Sequence, residues 1–251
     1  MIAFFRLVMA DFQKIRRSSI LWIHVVIPVL TIINFLSYYS FSKASTFGKV
    51  SGYMEMLSIA FPILIGVITS AAVEQESSSG GFQELLMSKH KLMSFFSKFF
   101  MLLLLAFTAL LAAVGGFALG FKYLLNQNIF EPAFYMNMII ILFGSVIFLY
   151  LMHTMCSFIF GAGASIGLGI AESLIAALML TGLGEGIWRY IPCSWGGRLC
   201  NYYMLIETNR KEAFIFMKEF QNGNLICFIT TVILIIISLI WFNRFEGRRE
   251  A

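Results

Sequence analysis

The longest stretch of this 251-residue chain without a charged side chain covers residues 132–171, and its length limits what the chain can fold into. Its 40 residues would rise about 60 Å as one helix, roughly twice the ~30 Å hydrocarbon core of a bilayer. A single crossing cannot hold the stretch. The chain must therefore turn back, and the Gly161-Ala162-Gly163 run predicts where it does.

The composition of the chain also indicates a membrane environment. Hydrophobic residues make up 59% of the chain and charged residues 12%, whereas soluble globular domains carry about 25% charged residues. This balance excludes a soluble enzyme and a disordered protein. The net charge of +5 is dispersed between apolar runs, which argues against a nucleic-acid partner.

Six segments are long and apolar enough to cross a membrane, which takes about 20 residues. Backbone polar groups in lipid must bond within the segment, so these segments predict helices, and the alternating strands of a β-barrel are absent. We predict an all-α membrane protein with six transmembrane helices in one domain over 19–242. The predicted spans are 19–41, 53–73, 99–121, 133–160, 163–183 and 223–242.

Lysine and arginine predict the orientation, because short cytoplasmic loops are enriched in them. Ten of the 18 basic residues lie on the side that holds both termini. Of the eight others, five lie in one long loop, and long loops count less in this rule. We predict that both termini, including a tail over 243–251, are cytoplasmic. The apolar core of the first span is too long for a cleaved signal peptide, which favours a retained anchor.

Residues 1–18 place Phe5, Val8, Phe12 and Ile15 at helical spacing. The pattern predicts an amphipathic, interfacial helix on the inner membrane surface. A plain basic flank that sets the orientation of the first span explains much of the same pattern. The sequence leaves both interpretations open.

The segment 74–98, here called the elbow, joins the second and third spans. It opens on acidic residues, continues through a small, flexible run over 77–81, and then places apolar residues at helical spacing. The pattern predicts two short amphipathic helices with a break between them. An interfacial loop is one interpretation, but the apolar face favours an element that docks on a soluble partner. The residues that carry the pattern are Glu74, Glu76, Phe82, Leu85 and Leu86.

The loop over 184–222 is the largest segment outside the spans and is predicted to be extracellular. Its first half is dense in Trp and Tyr, Trp188 among them, and such rings favour the headgroup level. Its second half, 207–220, predicts an amphipathic helix at the outer leaflet. Cys193 and Cys200 lie in this loop with six residues between them, and a disulfide could join them on the oxidising outer face. The spacing does not decide whether it forms.

One charge, Glu172, falls near the middle of a predicted span. A carboxylate in lipid costs at least about 2.5 kcal/mol on insertion scales, so Glu172 should face the bundle or a cavity and have a partner. An acid at this depth is a candidate for function, and a protonated glutamate that bonds neighbouring helices is the structural alternative. His24 and His153 are predicted to be hydrogen-bonded packing residues.

Small residues form stripes at helical spacing in the third and fifth spans. Such stripes let helix backbones approach closely in lipid. Packing within the chain is the default explanation, and an interface with another subunit is the alternative. The stripes are Ala112, Gly116 and Gly120; Gly163, Gly167 and Ala171; and Gly161, Ser165, Gly169 and Ser173.

The chain carries no motif for catalysis or nucleotide binding. It has no G-x-x-x-x-G-K-[ST] phosphate loop, no H-E-x-x-H and no G-x-S-x-G, and its three histidines are scattered. A pump built from this chain must take its energy from a partner chain or from an ion gradient.

Two parts of the sequence resemble a known family. The string `SIAFPILIGVITSAAVEQESSSGGFQELLMSKHKLMSFFSK` and the six-span pattern resemble the type-2 ABC transporter permeases. The strings `GASIGLGIAESLIAALMLTGLGEGIW` and `YIPCSWGGR` are similar to lantibiotic-immunity permeases of the MutG and NisG kind. The resemblance runs over essentially the whole chain.

The resemblance implies a non-catalytic permease subunit in a bacterial cell membrane. Such permeases work with two copies of a separate ABC ATPase, which holds the ATP and Mg²⁺, so no cofactor is expected in this chain. They pair with a second, related permease chain and expel a lantibiotic from the lipid of the producing cell. The family's coupling elbow, which docks on the ATPase, matches Glu74, Glu76, Phe82, Glu84, Leu85 and Leu86.

The resemblance assigns no role to Glu172 or Trp188. We predict from their positions in span five and the adjoining loop that they line the transport pathway. The alternatives are an exporter of another cargo, such as a lipid, drug or ion, an intramembrane enzyme, and a sensor that does not transport. An isolated Glu172 argues against the enzyme, which would need several such groups within the spans.

Overall fold

A computed structural model describes residues 2–16, 18–88, 91–209 and 213–248. The remaining residues, on which parts of the predicted interfacial segment, elbow, loop and tail fall, lie outside the described residues. The described chain folds into nine α-helices and three short 3-10 turns, without a strand. The helices are α1 (Ile2–Ile15), α2 (Ser19–Phe41), α3 (Thr46–Ser78), α4 (Gln83–Leu86), α5 (Lys91–Tyr123), α6 (Pro132–Phe160), α7 (Ala162–Met179), α8 (Trp195–Thr208) and α9 (Ala213–Arg244).

The six predicted spans are confirmed: α2, α3, α5, α6, α7 and α9 are each long and apolar enough to cross a membrane. The predicted turn in the uncharged stretch is confirmed as well, because α6 ends at Phe160 and α7 begins at Ala162. Gly161 between them has a φ of 88°, a region that glycine enters at little cost. The molecule is an all-α, multi-pass membrane protein.

Helix α3 extends beyond its predicted span because a charged side chain near its start is held by neighbours. Span two was predicted to begin at residue 53, but α3 begins at Thr46. The Lys49 ammonium in these extra turns is buried and donates to the Tyr39 carbonyl (2.9 Å) and to Gln127 Oε1 (2.7 Å). The methylene stem packs while its charge is satisfied by oxygen atoms, so the helix can continue.

The bundle has two distinct ends. The end that holds α1, the elbow and residues 245–248 is called the elbow end. The opposite end, which holds α8 and the 3-10 turns at Gly182–Gly184, Trp188–Tyr190 and Pro192–Ser194, is called the loop end. One large core cluster includes Phe82, Phe95 and Phe242 near the elbow end, and a second includes Tyr53 and Phe117 towards the loop end.

Helices α3 and α7 pack closely together, and glycines make that approach possible. A Cβ on Gly169 would lie 2.6 Å from the Pro62 carbonyl oxygen, and one on Gly66 would lie 2.7 Å from the Ser165 carbonyl oxygen. Backbone atoms cannot yield to such a contact. The stripe that contains Ser165 and Gly169 therefore packs within the chain, whereas a Cβ on Gly167 of the parallel stripe would meet nothing within 4 Å.

Gly116 and Gly120 of the stripe in span three also pack within the chain, whereas Ala112 is exposed. A Cβ on Gly116 would lie 2.6 Å from Ile32, and one on Gly120 would lie 2.2 Å from Leu36. Both partners are on α2, so the two glycines seat that helix against α5.

The loop over 184–222 differs from its prediction. Its middle forms a buried helix, α8, which packs on α3, α6 and α9. The segment predicted as a separate outer-leaflet amphipathic helix does not form one: from Ala213 onward it is the first part of α9 and continues into the sixth span. Its predicted apolar face is partly right, since Phe216 and Phe220 pack on the cluster around Trp188.

Candidate functional site

The elbow reverses the chain between α3 and α5 through a tight turn. Phe82 sits in this turn with a φ of 69°, a left-handed conformation that costs a bulky residue about 1–3 kcal/mol. Its ring is buried and lies 5.4 Å from the ring of Phe158 and 5.8 Å from that of Phe245. Aromatic packing on α6 and on the chain after α9 therefore holds the strained turn in place.

The elbow faces in two directions, which the sequence pattern did not separate. Phe82 and Leu85 are buried and Leu86 is half-buried, so most of the predicted docking face is turned into the protein. The surface left open, here called the elbow tip, lies on either side of these anchors. Its exposed residues are Ser78, Ser79, Gly80, Gly81, Gln83, Glu84 and Met87.

Glu76 occupies the centre of a buried ion cluster behind the tip. One of its carboxylate oxygens accepts from Lys98 Nζ at 2.8 Å and from Lys14 Nζ at 3.2 Å. Lys98 also lies 3.6 Å from Asp11. Glu76 and Lys98 are each 4% exposed, and a buried pair of this kind is costly to break from one side. The cluster ties α1, α3 and α5 together, and Glu76 therefore bonds inside the protein.

The sequence pattern did not single out Asp11, although its position gave a signal. It shares a helical face with Val8, Phe12 and Ile15, and an acid on an apolar face needs a buried partner. The Ser97 hydroxyl donates to its carboxylate at 2.5 Å. Burial raises the pKa of the Asp11 carboxyl above its usual value, against the opposing effect of the Lys98 ammonium.

Two further contacts, one to Lys14 of this cluster and one to the tail, hold the elbow. Lys14 Nζ donates to Glu84 Oε2 at 3.0 Å, and Glu84 is 68% exposed. Arg248 donates to Glu74 Oε1 at 2.8 Å and to the Ser157 carbonyl oxygen at 2.8 Å. The elbow is thus fastened to α1, α6 and the tail as well as to its own two helices, so a force on the tip reaches several spans.

Glu172 has the partner that its depth requires. Its Oε2 lies 2.8 Å from His153 Nε2, and His153 Nδ1 lies 3.0 Å from the Ser165 hydroxyl. An ionised Glu172 accepts from Nε2–H, which leaves Nδ1 to accept from Ser165. The prediction that His153 is a hydrogen-bonded residue of the packed bundle agrees with this geometry, and the premise that Glu172 is isolated is wrong.

The contacts run in the order acid, histidine, serine, which is also the order of a hydrolase triad. Ser165 is fully buried, with its hydroxyl 3.4 Å from the Gly66 carbonyl oxygen. It has no open surface through which a substrate carbonyl could approach. The arrangement joins α3, α6 and α7, while the Glu172 side chain remains 12% exposed. Within the described residues there is also no cluster of three potential metal ligands.

Trp188 lies in the packed core of the loop end. It is fully buried, and a Cβ on Gly223 would lie 2.1 Å from its ring. The glycine lets α9 approach the indole, and Tyr202 lies beside it at 5.4 Å between ring centroids. In this conformation Trp188 therefore seats α9 against α8 and faces no open pathway.

The two loop cysteines are both free thiols. Cys193 belongs to one core cluster and Cys200 to another, so the disulfide that the sequence permits is not formed here. Burial raises the pKa of the Cys193 thiol to about 12. Both side chains pack as small apolar groups.

Arg198 is a second residue that the sequence did not single out. Its guanidinium is buried and donates to the Met179 and Thr181 carbonyl oxygens at 2.5 and 2.6 Å and to Glu185 at 2.7 Å. Met179 is the last residue of α7, and Thr181 follows two residues after it. Arg198 therefore caps the helix that carries Glu172.

Comparison with known proteins identifies the family. No curated protein and no solved structure gives a match. A family model described as ABC-2 family transporter protein matches residues 7–177, which cover α2 to α6, the elbow, the second half of α1 and nearly all of α7. Members of this family are membrane components of transporters and associate with an ABC ATPase. The chain belongs to the ABC-2 transporter family.

Proposed function

We propose that this permease subunit expels a lantibiotic from the membrane of the cell that carries it, driven by two copies of a separate ABC ATPase. It acts beside a second permease chain, related but not identical. Both termini and the elbow are cytoplasmic, and the loop end faces outward. The cargo assignment rests on the similarity of the span-five and loop strings to lantibiotic-immunity permeases.

The elbow carries the mechanical part of the proposal. Its tip presents an exposed surface with Met87 at 83% exposure, although most apolar residues of the elbow are buried. Behind the tip, Glu76 bonds lysines from α1 and α5. An ATPase seated on the tip could move these helices together when it closes on ATP, since the anchors leave the elbow little freedom of its own.

The position of Glu172 within a span suits the chemistry of the proposed peptide cargo. Lantibiotics that act on membranes are amphipathic and enter the outer leaflet. Glu172 keeps part of its carboxylate at the surface of the bundle and is oriented by His153. A carboxylate at this depth can attract a cationic group of such a peptide more strongly than it would in water. Glu172 is therefore proposed to contact the cargo, with Trp188 as support for the neighbouring helices.

The experiment is lantibiotic tolerance in a sensitive bacterial host. The chain is expressed with the ATPase and permease chains that co-purify with it, as the parent, as Met87→Glu and as Gln13→Glu. Both variants add one negative charge to an exposed residue at the elbow end, but Gln13 lies on α1. We expect the parent and Gln13→Glu to raise tolerance, and Met87→Glu to lose most of this gain.

Two outcomes would count against different parts of the proposal. Unchanged tolerance with the full complex present and hydrolysing ATP would exclude the lantibiotic as cargo and favour export of a lipid, drug or ion. Equal tolerance with Met87→Glu and with the parent would remove the docking role of the tip.

A further inference from the structure

A cleft opens at the loop end, where the start of α6 meets the end of α8. Its volume is about 480 Å³, and sites for small ligands range from roughly 300 to 1,000 Å³. The cleft is half open, so its occupant enters from the surface of the molecule. Asn137 in its wall lies about 24 Å from His153 along α6. The cleft is therefore separate from the intramembrane pair of His153 and Glu172.

A row of aromatic rings forms one wall of the cleft. The Phe130 and Phe134 rings stack with their centroids 4.0 Å apart, and Phe134 stacks on Tyr203 at 5.6 Å. Phe134 is buried, whereas Phe130 and Tyr203 are half-buried and line the cleft. This wall offers apolar contact at the surface, and the stacking holds its rings in place.

Two carboxylates line the same cleft without a cation of their own. Glu131 is the residue before α6, but its side chain makes no capping hydrogen bond. Glu207 lies in the last turn of α8, which contains no basic residue, and the end of the helix adds partial negative charge. Both side chains are exposed, and neither forms an ion pair within the described residues. The cleft therefore collects negative charge that a ligand could neutralise.

The combination of an apolar wall and acidic groups selects the ligand. A lysine side chain packs its methylene stem on apolar surface and carries its charge to a polar group at the tip. Asn137 Nδ2 donates to the Tyr203 hydroxyl at 2.7 Å, so the amide oxygen of Asn137 remains to accept from an ammonium. Phosphatidylethanolamine also has an ammonium, but its adjacent phosphate would be repelled by the two carboxylates. A lysine carries no such anion.

We propose that this cleft binds a lysine side chain of a cationic, amphipathic peptide at the outer surface of the membrane. The lysine stem packs on Phe130 and Tyr203. Its ammonium pairs with Glu131 and Glu207. The inference rests on the proposed function, which supplies the outward orientation of the loop end and the peptide cargo. It adds a contact at the surface that precedes the deeper contact with Glu172.

The test is peptide binding to the full chain in micelles of dodecyl maltoside, which carry no charge. One probe is an amphipathic peptide of leucine and lysine with an uncharged fluorophore, and the other is the same peptide with every lysine acetylated. Fluorescence anisotropy gives the two dissociation constants, with empty micelles as the blank. We expect the lysine peptide to bind at least about fivefold more tightly, as exposed ion pairs predict. Added sodium chloride should reduce this preference, because it screens exposed charges.

Variants separate the charge of the cleft from its space. The double variant Glu131→Gln/Glu207→Gln keeps the shape and should bring the two dissociation constants to within about twofold of each other. Glu246→Gln removes an exposed acid at the elbow end and should bind as the parent does. Ala133→Phe fills the cleft and should also remove the preference. Ala44→Phe is its matched control, because Ala44 is exposed at the loop end outside the cleft.

Equal binding of the two peptides by the parent would overturn the inference, and this comparison needs no variant to fold. An unchanged preference in the double glutamine variant would overturn it as well, since other acids would then be responsible. If phosphatidylethanolamine added to the micelles abolished the preference, the cleft would be a site for a lipid headgroup and not for a peptide.

Lantibiotic tolerance separates this inference from the proposed function. Equal tolerance with the parent and with the double glutamine variant would remove the cleft from the transport pathway and leave the proposed function standing. If the parent selects the lysine peptide but confers no tolerance with the full complex present, the proposed function fails and the lysine site stands.

Discussion

At the scale of single residues, the elbow end depends on where one carboxylate lies. Glu76 accepts from both Lys14 and Lys98, whereas Asp11 forms an ion pair with Lys98. The buried Glu76 carboxylate is therefore the shared counterion of lysines on two helices, α1 and α5. The exposed pair between Lys14 and Glu84 has the same chemistry, but water weakens it, and such pairs contribute about 0–1 kcal/mol.

We therefore predict a graded loss of stability across these acids. Glu76→Gln should lower the free energy of unfolding by about 3–5 kcal/mol, because it leaves the buried Lys98 ammonium without its main counterion. Glu84→Gln, on the exposed side, should change it by less than about 1 kcal/mol. The measurement is denaturation of the purified chain in mixed detergent micelles. Equal losses of stability from the two substitutions would contradict the role of Glu76 as the main counterion of the buried cluster.

Asp11→Asn should be milder than Glu76→Gln and should depend on pH. Burial raises the pKa of Asp11, so the folded chain binds its proton more readily than the unfolded chain does. That contribution to stability is complete below the usual pKa of 3.8 and is lost as pH rises through the folded value. Relative to Asp11→Asn, which cannot ionise, the parent should lose stability as pH rises through this window. If the stabilities of the parent and of Asp11→Asn changed in parallel with pH, the raised pKa of Asp11 would be contradicted.

Glu172 can be tested separately from the fold, because glutamine can keep a hydrogen bond to His153. We expect Glu172→Gln to leave the unfolding free energy within about 1 kcal/mol of the parent while reducing lantibiotic tolerance. Glu172→Ala should reduce both. If both variants transport as the parent does, the acid has a packing role alone.

At the scale of elements, the structure is governed by which helices can come close. α7 lies against α3 because Gly169 and Gly66 leave room for backbone on the facing helix. In lipid, where apolar burial gives little driving force between helices, such close packing is a main source of association. This contact also places Ser165 and His153 within reach of each other.

Gly169→Ala and Gly167→Ala form a matched pair on α7. The first methyl group would meet the Pro62 carbonyl oxygen at 2.6 Å, and the second would meet nothing within 4 Å. We expect Gly169→Ala to destabilise the chain by about 1–3 kcal/mol through overpacking. Gly167→Ala should be neutral or slightly stabilising in its effect on the thermal midpoint. The reverse order would show that α7 packs differently.

The elements were predictable where a local pattern decides them. The six spans and the Gly161 turn follow from hydropathy, length and glycine. The inward face of the elbow was not predictable from a local pattern. The Phe82 ring is covered by Phe158 and Phe245, which are distant from it in sequence. The start of α9 was placed in a separate helix because its amphipathic turns precede the apolar span without a visible break.

At the scale of the whole molecule, the permease is a bundle whose two ends differ in construction. The elbow end is held by ion pairs that link α1, the elbow and residues near the tail. The loop end is held by buried aromatic rings and by Arg198. An ATPase at one end and cargo near the other would then communicate through the shared long helices, α3 and α5.

Site-specific crosslinking shows whether the ATPase docks on the elbow tip. A photoreactive amino acid is placed at Met87 on the tip, or at Leu183 at the loop end, which is 69% exposed. The complex is then irradiated in native membranes. We expect the probe at Met87 to capture the ATPase and the probe at Leu183 not to capture it. Capture from Leu183, or none from Met87 in a complex that still confers tolerance, would contradict it.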